Sequence, residues 1–313
     1  MPANSHTAMI SEEQAEKLRG VLEQQGFEFG EKPYTLFSAK KGKLNVSVYQ
    51  KGPKVLVQGR ETGDFVRFTL EPEILGEARL GYEEVHQPEM FEPHFGIDES
   101  GKGDYFGPLV IAGVYTDAAS ARALLDAGIM DSKRITSATR IRKLAKVIRE
   151  TPGIAEAVIS IGPERYNELH TSFGNVNRLL AWGHARAIAR LLEKRPDCPR
   201  ALSDQFARPD VLRRALKKLG VSIDLQQRTK AESDLAVAAA SILARERFID
   251  WMDKTSKAGG VELPLGASDA VIDAARELVE RHGPGVLVRV AKRHFRTTAR
   301  VLGDSSADGT ESA

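Results

Sequence analysis

The segment Phe95-Gly-Ile-Asp-Glu-Ser-Gly-Lys-Gly-Asp-Tyr-Phe-Gly-Pro108 constrains this chain more than any other. An apolar approach runs into two adjacent carboxylates, Asp98 and Glu99. The turn Gly101-Lys102-Gly103 follows at once, and then a second apolar run, Leu109 to Tyr115. Adjacent carboxylates repel unless a cation or a proton lies between them. Glycines on both sides of Lys102 let backbone amides approach an anion. The arrangement predicts a metal site beside a phosphate-contacting loop.

The surroundings predict two domains. Residues 1–9 are expected to be a disordered start. Ser11-Glu-Glu-Gln14 is a capping box that opens an amphipathic helix through about Gln25, with Leu18, Val21 and Leu22 as its stripe. Alternating segments at 34–37, 44–49 and 54–58 are joined by Lys41-Gly42-Lys43 and Lys51-Gly52-Pro53, which suit hairpins. Residues 10–75 therefore form a small α+β module with an antiparallel sheet. The Gly-, Pro- and acid-bearing stretch 76–93 suits a linker. From His94, strands are predicted at 94–98, 108–115, 154–161, 200–204 and 221–227, with helices between and after them. The order gives an α/β domain over 94–302, a mixed sheet flanked by helices. The Ser-, Asp- and Gly-rich residues 303–313 are expected to be a disordered tail.

Further acids stand where a metal site needs them. Ala201-Leu-Ser-Asp204 is a short apolar segment ending in a carboxylate, and in α/β sheets ligand groups gather at strand ends. A strand-end Asx turn is the plain alternative for Asp204. Glu232 and Asp234 lie in the first turn of an Ala-rich helix that permits close backbone packing. For this pair taken alone, simple helix capping is the favoured reading. Met130-Asp-Ser-Lys-Arg134 places Ser132 and Lys133 before a helix, where a phosphate can be held. His184 reads as a structural residue.

Net charge is only +2, but three basic clusters, at 32–60, 134–149 and 281–300, favour local polyanion-binding surfaces over uniform solvation. The single cysteine, Cys198, excludes an intrachain disulfide, and His and Cys are too sparse for a zinc site. No apolar run approaches the ~20 residues of a membrane span, and the N-terminus has no basic-then-apolar leader pattern. Neither a membrane nor an obligatory protein partner is expected, and the cytoplasm is the expected location.

Together these residues resemble the type 2 ribonuclease H family, on its ribonuclease HIII branch. The resemblance rests on Gly96-Ile-Asp-Glu-Ser-Gly-Lys-Gly103 with Gly107-Pro108, on Asp131-Ser-Lys133, on Asp204, and on Lys230-Ala-Glu232 with the alanine helix to 244. Asp104-Tyr-Phe and Asp204-Gln-Phe favour the HIII branch. It spans roughly 94–295. It implies a ribonuclease H-like catalytic domain, and it makes 10–75 similar to a TATA-box-binding-protein-like module that grips substrate.

The implied activity is endonucleolytic cleavage of RNA within an RNA–DNA hybrid, leaving a 5′-phosphate and a 3′-hydroxyl, with two divalent ions, Mg²⁺ or Mn²⁺. The implied metal ligands are Asp98, Glu99, Asp204 and a fourth acid. Asp234 is preferred for that place, with Glu232 held open. Gly101, Lys102 and Gly103 are the implied ribose readers, and Ser132, Lys133 and Lys230 the phosphate contacts. Rivals are ribonuclease HII-like incision at single ribonucleotides in DNA, a non-catalytic nucleic-acid-binding protein, and a recombinase or transposase. A helix-turn-helix or zinc module that would support the last is not visible.

Overall fold

The computed structural model describes residues 5–76, 87–129, 135, 137–229 and 231–303, and for Glu232 the backbone alone. The chain divides into two units, residues 1–89 and 90–313.

In the first unit, β1 (Ser5–Met9), β2 (Glu28–Gly30), β3 (Thr35–Lys41), β4 (Leu44–Tyr49) and β5 (Lys54–Gln58) form an antiparallel sheet in the order β1-β5-β4-β3-β2. The hairpin turns fall where glycine supplies positive φ, at Gly42 (57°) and Gly52 (77°). Phe37, Ala39, Val46, Val48, Val55 and Val57 turn inward. They meet Ala15, Leu18 and Leu22 of α1 (Glu12–Gln24), which carries the expected Ser11–Gln14 capping box. A short α2 (Thr62–Phe65) runs on as a π-helical stretch, Val66–Leu75, which supplies Val66, Leu70 and Ile74 to the same core. The opposite sheet face carries Ser38, Lys40, Asn45, Tyr49, Lys54 and Gln58. One expectation needs correction here. Ser5–Met9, expected to be disordered, is an edge strand, because its backbone pairs with β5 in full register from Ser5↔Gln58 to Met9↔Lys54. The module also contains β2, which is too short and too exposed to show a period.

In the second unit, β6 (His94–Ser100), β7 (Leu109–Thr116), β8 (Ala155–Ile161), β9 (Arg200–Asp204) and β10 (Asp224–Arg228) lie in the order β10-β9-β6-β7-β8. β6, β7 and β8 form an antiparallel meander; β9 runs parallel to β6, and β10 parallel to β9. The helices in chain order are α3 (Ala118–Asp126), α4 (Ala138–Glu150), α5 (Pro163–Phe173), α6 (Val176–Lys194), α7 (Pro209–Lys218), α8 (Leu235–Gly259), α9 (Asp269–His282), α10 (Val286–Val290) and α11 (Arg296–Leu302). One face of the sheet packs on α8, α3, α4 and α9, and the other on α6 and α7.

Glycine and alanine make these contacts close. A Cβ on Gly96 would lie 2.2 Å from both the Ala236 carbonyl carbon and the Val237 nitrogen. The N-terminal turn of α8 therefore rests directly on the β6 backbone. Within the stretch expected as a linker, Pro88–Phe91 form a 3₁₀ turn whose Met90 and Phe91 are buried in the second unit's core, while 77–86 lie outside the described residues.

Candidate active site

β6 brings its carboxylates to the carboxyl end of the central strand, and the parallel neighbour β9 ends at the same level. The register Gly96↔Leu202 and Ile97↔Ser203 sets Asp98 beside Asp204 one step further on. Side chains alternate across a strand, so Asp98 and Glu99 leave it on opposite faces. Asp98 faces α8, where the Ser241 hydroxyl hydrogen-bonds to it. Glu99 faces α6, where His184 Nε2 lies 3.0 Å from its Oε2. His184 is fully buried, and its Nδ1 lies 3.1 Å from Ser203 Oγ on β9. The ring thus ties Glu99 to the strand that carries Asp204. Sequence inspection missed this link, and its only signal was an apolar helix presenting one imidazole.

Burial, and then repulsion from Glu99, push the Asp98 carboxyl up from 3.8 to about 6. A cation at this strand end would relieve both effects. The donors are carboxylate oxygens, the type that hard divalent ions take. Among the described residues no three His, Cys, Asp or Glu side chains converge on one point. Glu99 is drawn toward His184, and the Glu232 side chain lies outside the described residues.

Asp234, preferred as a fourth ligand, is engaged elsewhere. Its oxygens lie 2.9 and 3.0 Å from His94 Nε2, at the start of β6 rather than at its carboxyl end. Its Oδ1 also accepts the Ala236 and Val237 N–H groups as the N-cap of α8. Only 6% of Asp234 is exposed. Asp234 therefore caps α8 and pairs with His94. Glu232 has the better placement: the 3₁₀ turn Ala231–Ser233 adjoins the end of β9, and the Ala231 N–H donates to Asp204 Oδ1 at 3.4 Å.

The Gly101-Lys102-Gly103 turn follows β6 directly. Gly101 has φ of 89°, and a Cβ there would lie 2.2 Å from the Pro108 carbonyl oxygen, so the turn can fold back on itself only with glycine. Gly103 is exposed, with nothing near its missing Cβ. Lys102 Nζ lies 3.9 Å from Glu99 Oε1 and 5.8 Å from the Phe206 ring centroid. Ser132, Lys133 and Lys230 lie outside the described residues.

The basic clusters divide. In α4, Arg142 pairs with Asp250 and Asp253, and Arg149 with Glu246 and Glu156, so these cations serve packing against α8. Lys292 in the third cluster is fully buried. On the first unit's open sheet face, Lys40 and Lys54 are exposed.

Comparisons with known proteins give the family. The family model described as "Ribonuclease HII" matches residues 95–298. A protein named Ribonuclease HIII from Protochlamydia amoebophila is 44% identical, covering 92% of this chain and 94% of its own. Its namesake from Chlamydia muridarum is 43% identical with the same coverage. Among solved structures, Bst-RNase HIII in complex with Mn²⁺ superposes with a TM-score of 0.67 at 28% identity, over 96% of this chain and 99% of that one. Aquifex aeolicus RNase H3 gives 0.54 at 26% identity, over 93% and 100%.

Proposed function

Because this chain belongs to the type 2 ribonuclease H family, on its ribonuclease HIII branch, we propose that it cleaves the RNA strand of RNA–DNA hybrids with two divalent ions. It is a ribonuclease H. The observation that carries the finer reading is the pairing of strand ends. Asp98 and Glu99 lie in the last three residues of β6, Asp204 ends the adjacent parallel β9, and a glycine-flanked turn follows β6 directly.

Asp98, Glu99, Asp204 and Glu232 would hold the ions, Mg²⁺ or Mn²⁺. Bst-RNase HIII was crystallised with Mn²⁺, which supports this class of metal. When bound, the ions supply electrostatic activation of the attacking water and stabilisation of the leaving oxygen. The chain's own groups do the rest. His184 and Ser203 orient Glu99. Ser241 steadies Asp98. The Gly101–Gly103 backbone reads the ribose 2′-hydroxyl, which separates RNA from DNA. Lys102, together with Ser132, Lys133 and Lys230, meets phosphates. Water oxygen adds to phosphorus as the bond to the 3′-oxygen breaks. The products are a 5′-phosphate and a 3′-hydroxyl, the latter taking up a proton. The first unit, with its open face bearing Lys40 and Lys54, grips the hybrid by shape and charge. Its resemblance to a TATA-box-binding-protein module belongs to the same proposal. So does a cytoplasmic role in replication and repair. Among the described residues, no helix is long and apolar enough to cross a membrane.

The test is Asp98→Asn on a uniformly labelled RNA–DNA duplex with Mg²⁺ or Mn²⁺, beside a DNA duplex holding one ribonucleotide. The expected result is cleavage of the continuous RNA tract by the parent chain and its loss in the variant. Near-parental cleavage by a folded variant would sink the two-ion reading.

A further inference from the structure

Lys292 follows the short helix α10, and its side chain is fully buried. An isolated buried ammonium costs several kcal/mol unless its donors are all satisfied. Here all three are. Nζ donates to the carbonyls of Asp104 (2.8 Å), Phe106 (3.1 Å) and Gly107 (2.7 Å). The Lys292 backbone N–H takes the remaining carbonyl of that run, Tyr105, at 2.8 Å. One residue therefore satisfies four successive carbonyls of the loop that begins at Gly101.

The other ties converge on the same limb. Gly107 N–H donates to the Val290 carbonyl at 3.0 Å, and Tyr105 N–H to the Gly266 carbonyl at 2.9 Å. Gly266 N–H donates to Asp104 Oδ1 at 2.7 Å, and the Tyr105 hydroxyl lies 3.2 Å from Thr298 Oγ1. Those ties use backbone groups, one carboxylate and a pair of hydroxyls, whereas the buried ammonium is a costly device. Burial pulls its pKa down to about 7, with Asp104 acting in the opposite direction. An apolar side chain would fill the volume without that cost, but would leave three buried carbonyls unmet. Its value lies in holding backbone dipoles to one arrangement, and the Asp104 N–H, 3.5 Å from the Gly101 carbonyl, passes that arrangement to the exposed glycine turn.

We propose that Lys292 is a positioning residue for ribose recognition: it sets the Asp104–Gly107 limb and thereby aims the amides of Gly101–Gly103. This rests on the reading of that turn as the ribose reader.

The test compares the parent with Lys292→Met, which keeps length and loses all three donors, and Lys292→Gln, which keeps two. Each cleaves a continuous RNA–DNA hybrid and the same hybrid with one 2′-deoxy substitution at the nucleotide 5′ to the preferred cleavage site. The parent is expected to lose rate on the substituted strand. Misaimed amides should shrink that 2′-deoxy penalty in Lys292→Met by at least about threefold and lower kcat more than KM. Lys292→Gln should fall between. A folded Lys292→Met with the parent's full penalty, and equal losses on both substrates, would overturn the proposal and leave Lys292 a packing residue. If Lys292→Met does not fold, Lys292→Gln decides by the same criterion. Failure of both to fold would also overturn the proposal. A parent with no 2′-deoxy penalty would instead refute the ribose-reading role of the turn itself.

Discussion

His94 and Asp234 meet across 140 residues of chain, with Nε2 2.9 Å from Oδ1 and 3.0 Å from Oδ2. The contact fastens the start of α8 to the start of β6, and it separates Asp234 from the acids at the strand's other end. The two candidates for a fourth carboxylate therefore predict opposite phenotypes. Asp234→Ala removes an N-cap and one partner of a buried pair, and should destabilise the fold by about 3–5 kcal/mol. Its activity loss should follow the folded fraction measured by circular dichroism. Glu232→Gln should melt near the parent while kcat falls by about 10²-fold or more. Full activity in folded Glu232→Gln would return the question to Asp234.

Asp98 gives a pH signature without metal. Its carboxyl loses its proton at about 6 in the fold, against an ordinary value of 3.8. Between those values the folded chain binds more protons than the unfolded one, so stability falls as pH rises through this window. Above about 6 the penalty is complete, at most about 3 kcal/mol for a shift of this size. Below 3.8 it is absent. Asp98→Asn should therefore melt higher than the parent at pH 8 in a chelator, with the gap closing toward pH 4. Adding Mg²⁺ at pH 8 should raise the parent's melting temperature and leave the variant's unchanged. Melting curves at three pH values check both statements.

His184 should act through Glu99. Outer-shell partners of metal ligands are typically worth about 10–100-fold in metal affinity or activity. His184→Leu should raise the Mg²⁺ concentration for half-maximal cleavage within that range, at a modest loss of stability. His184→Gln, which retains a donor, should recover part of it. A metal titration of cleavage rate reads the effect, and an unchanged midpoint would refute the role.

The open sheet face of the first unit predicts a salt effect. Lys40→Ala with Lys54→Ala should weaken hybrid binding and lower the slope of log affinity against log salt by about 1–2. Cleavage at saturating substrate should stay near parental. Binding isotherms from low to high salt check it, and an unaltered slope would place the contact elsewhere.

Much of this was legible in one dimension because it is local. Gly101 needs a positive φ, Asp98 and Glu99 are chain neighbours before a turn, and Ser11 with Gln14 caps a helix within one turn. The alternation in β4 and β5 and the alanine run of α8 report burial wherever they occur. What escaped depends on partners far along the chain. Ser5–Met9 carries no strong period and becomes a strand because β5 offers its edge. Lys292 reads as one more surface cation, and its burial appears only when the loop at Asp104–Gly107 arrives to receive it.

By itself the sequence determined the two-unit plan, the elements of the second unit, and the placing of Asp98, Glu99 and Asp204 at strand ends, since turn chemistry and hydrophobic period act over a few residues. Tertiary structure alone decided which face each acid occupies, that Asp234 pairs with His94 and caps α8, and that His184 meets Glu99 while Lys292 meets the carbonyls of Asp104–Gly107. Those outcomes are set by strand register and helix docking, and they bring together groups as far apart as Asp104 and Lys292, whose relation no local pattern records.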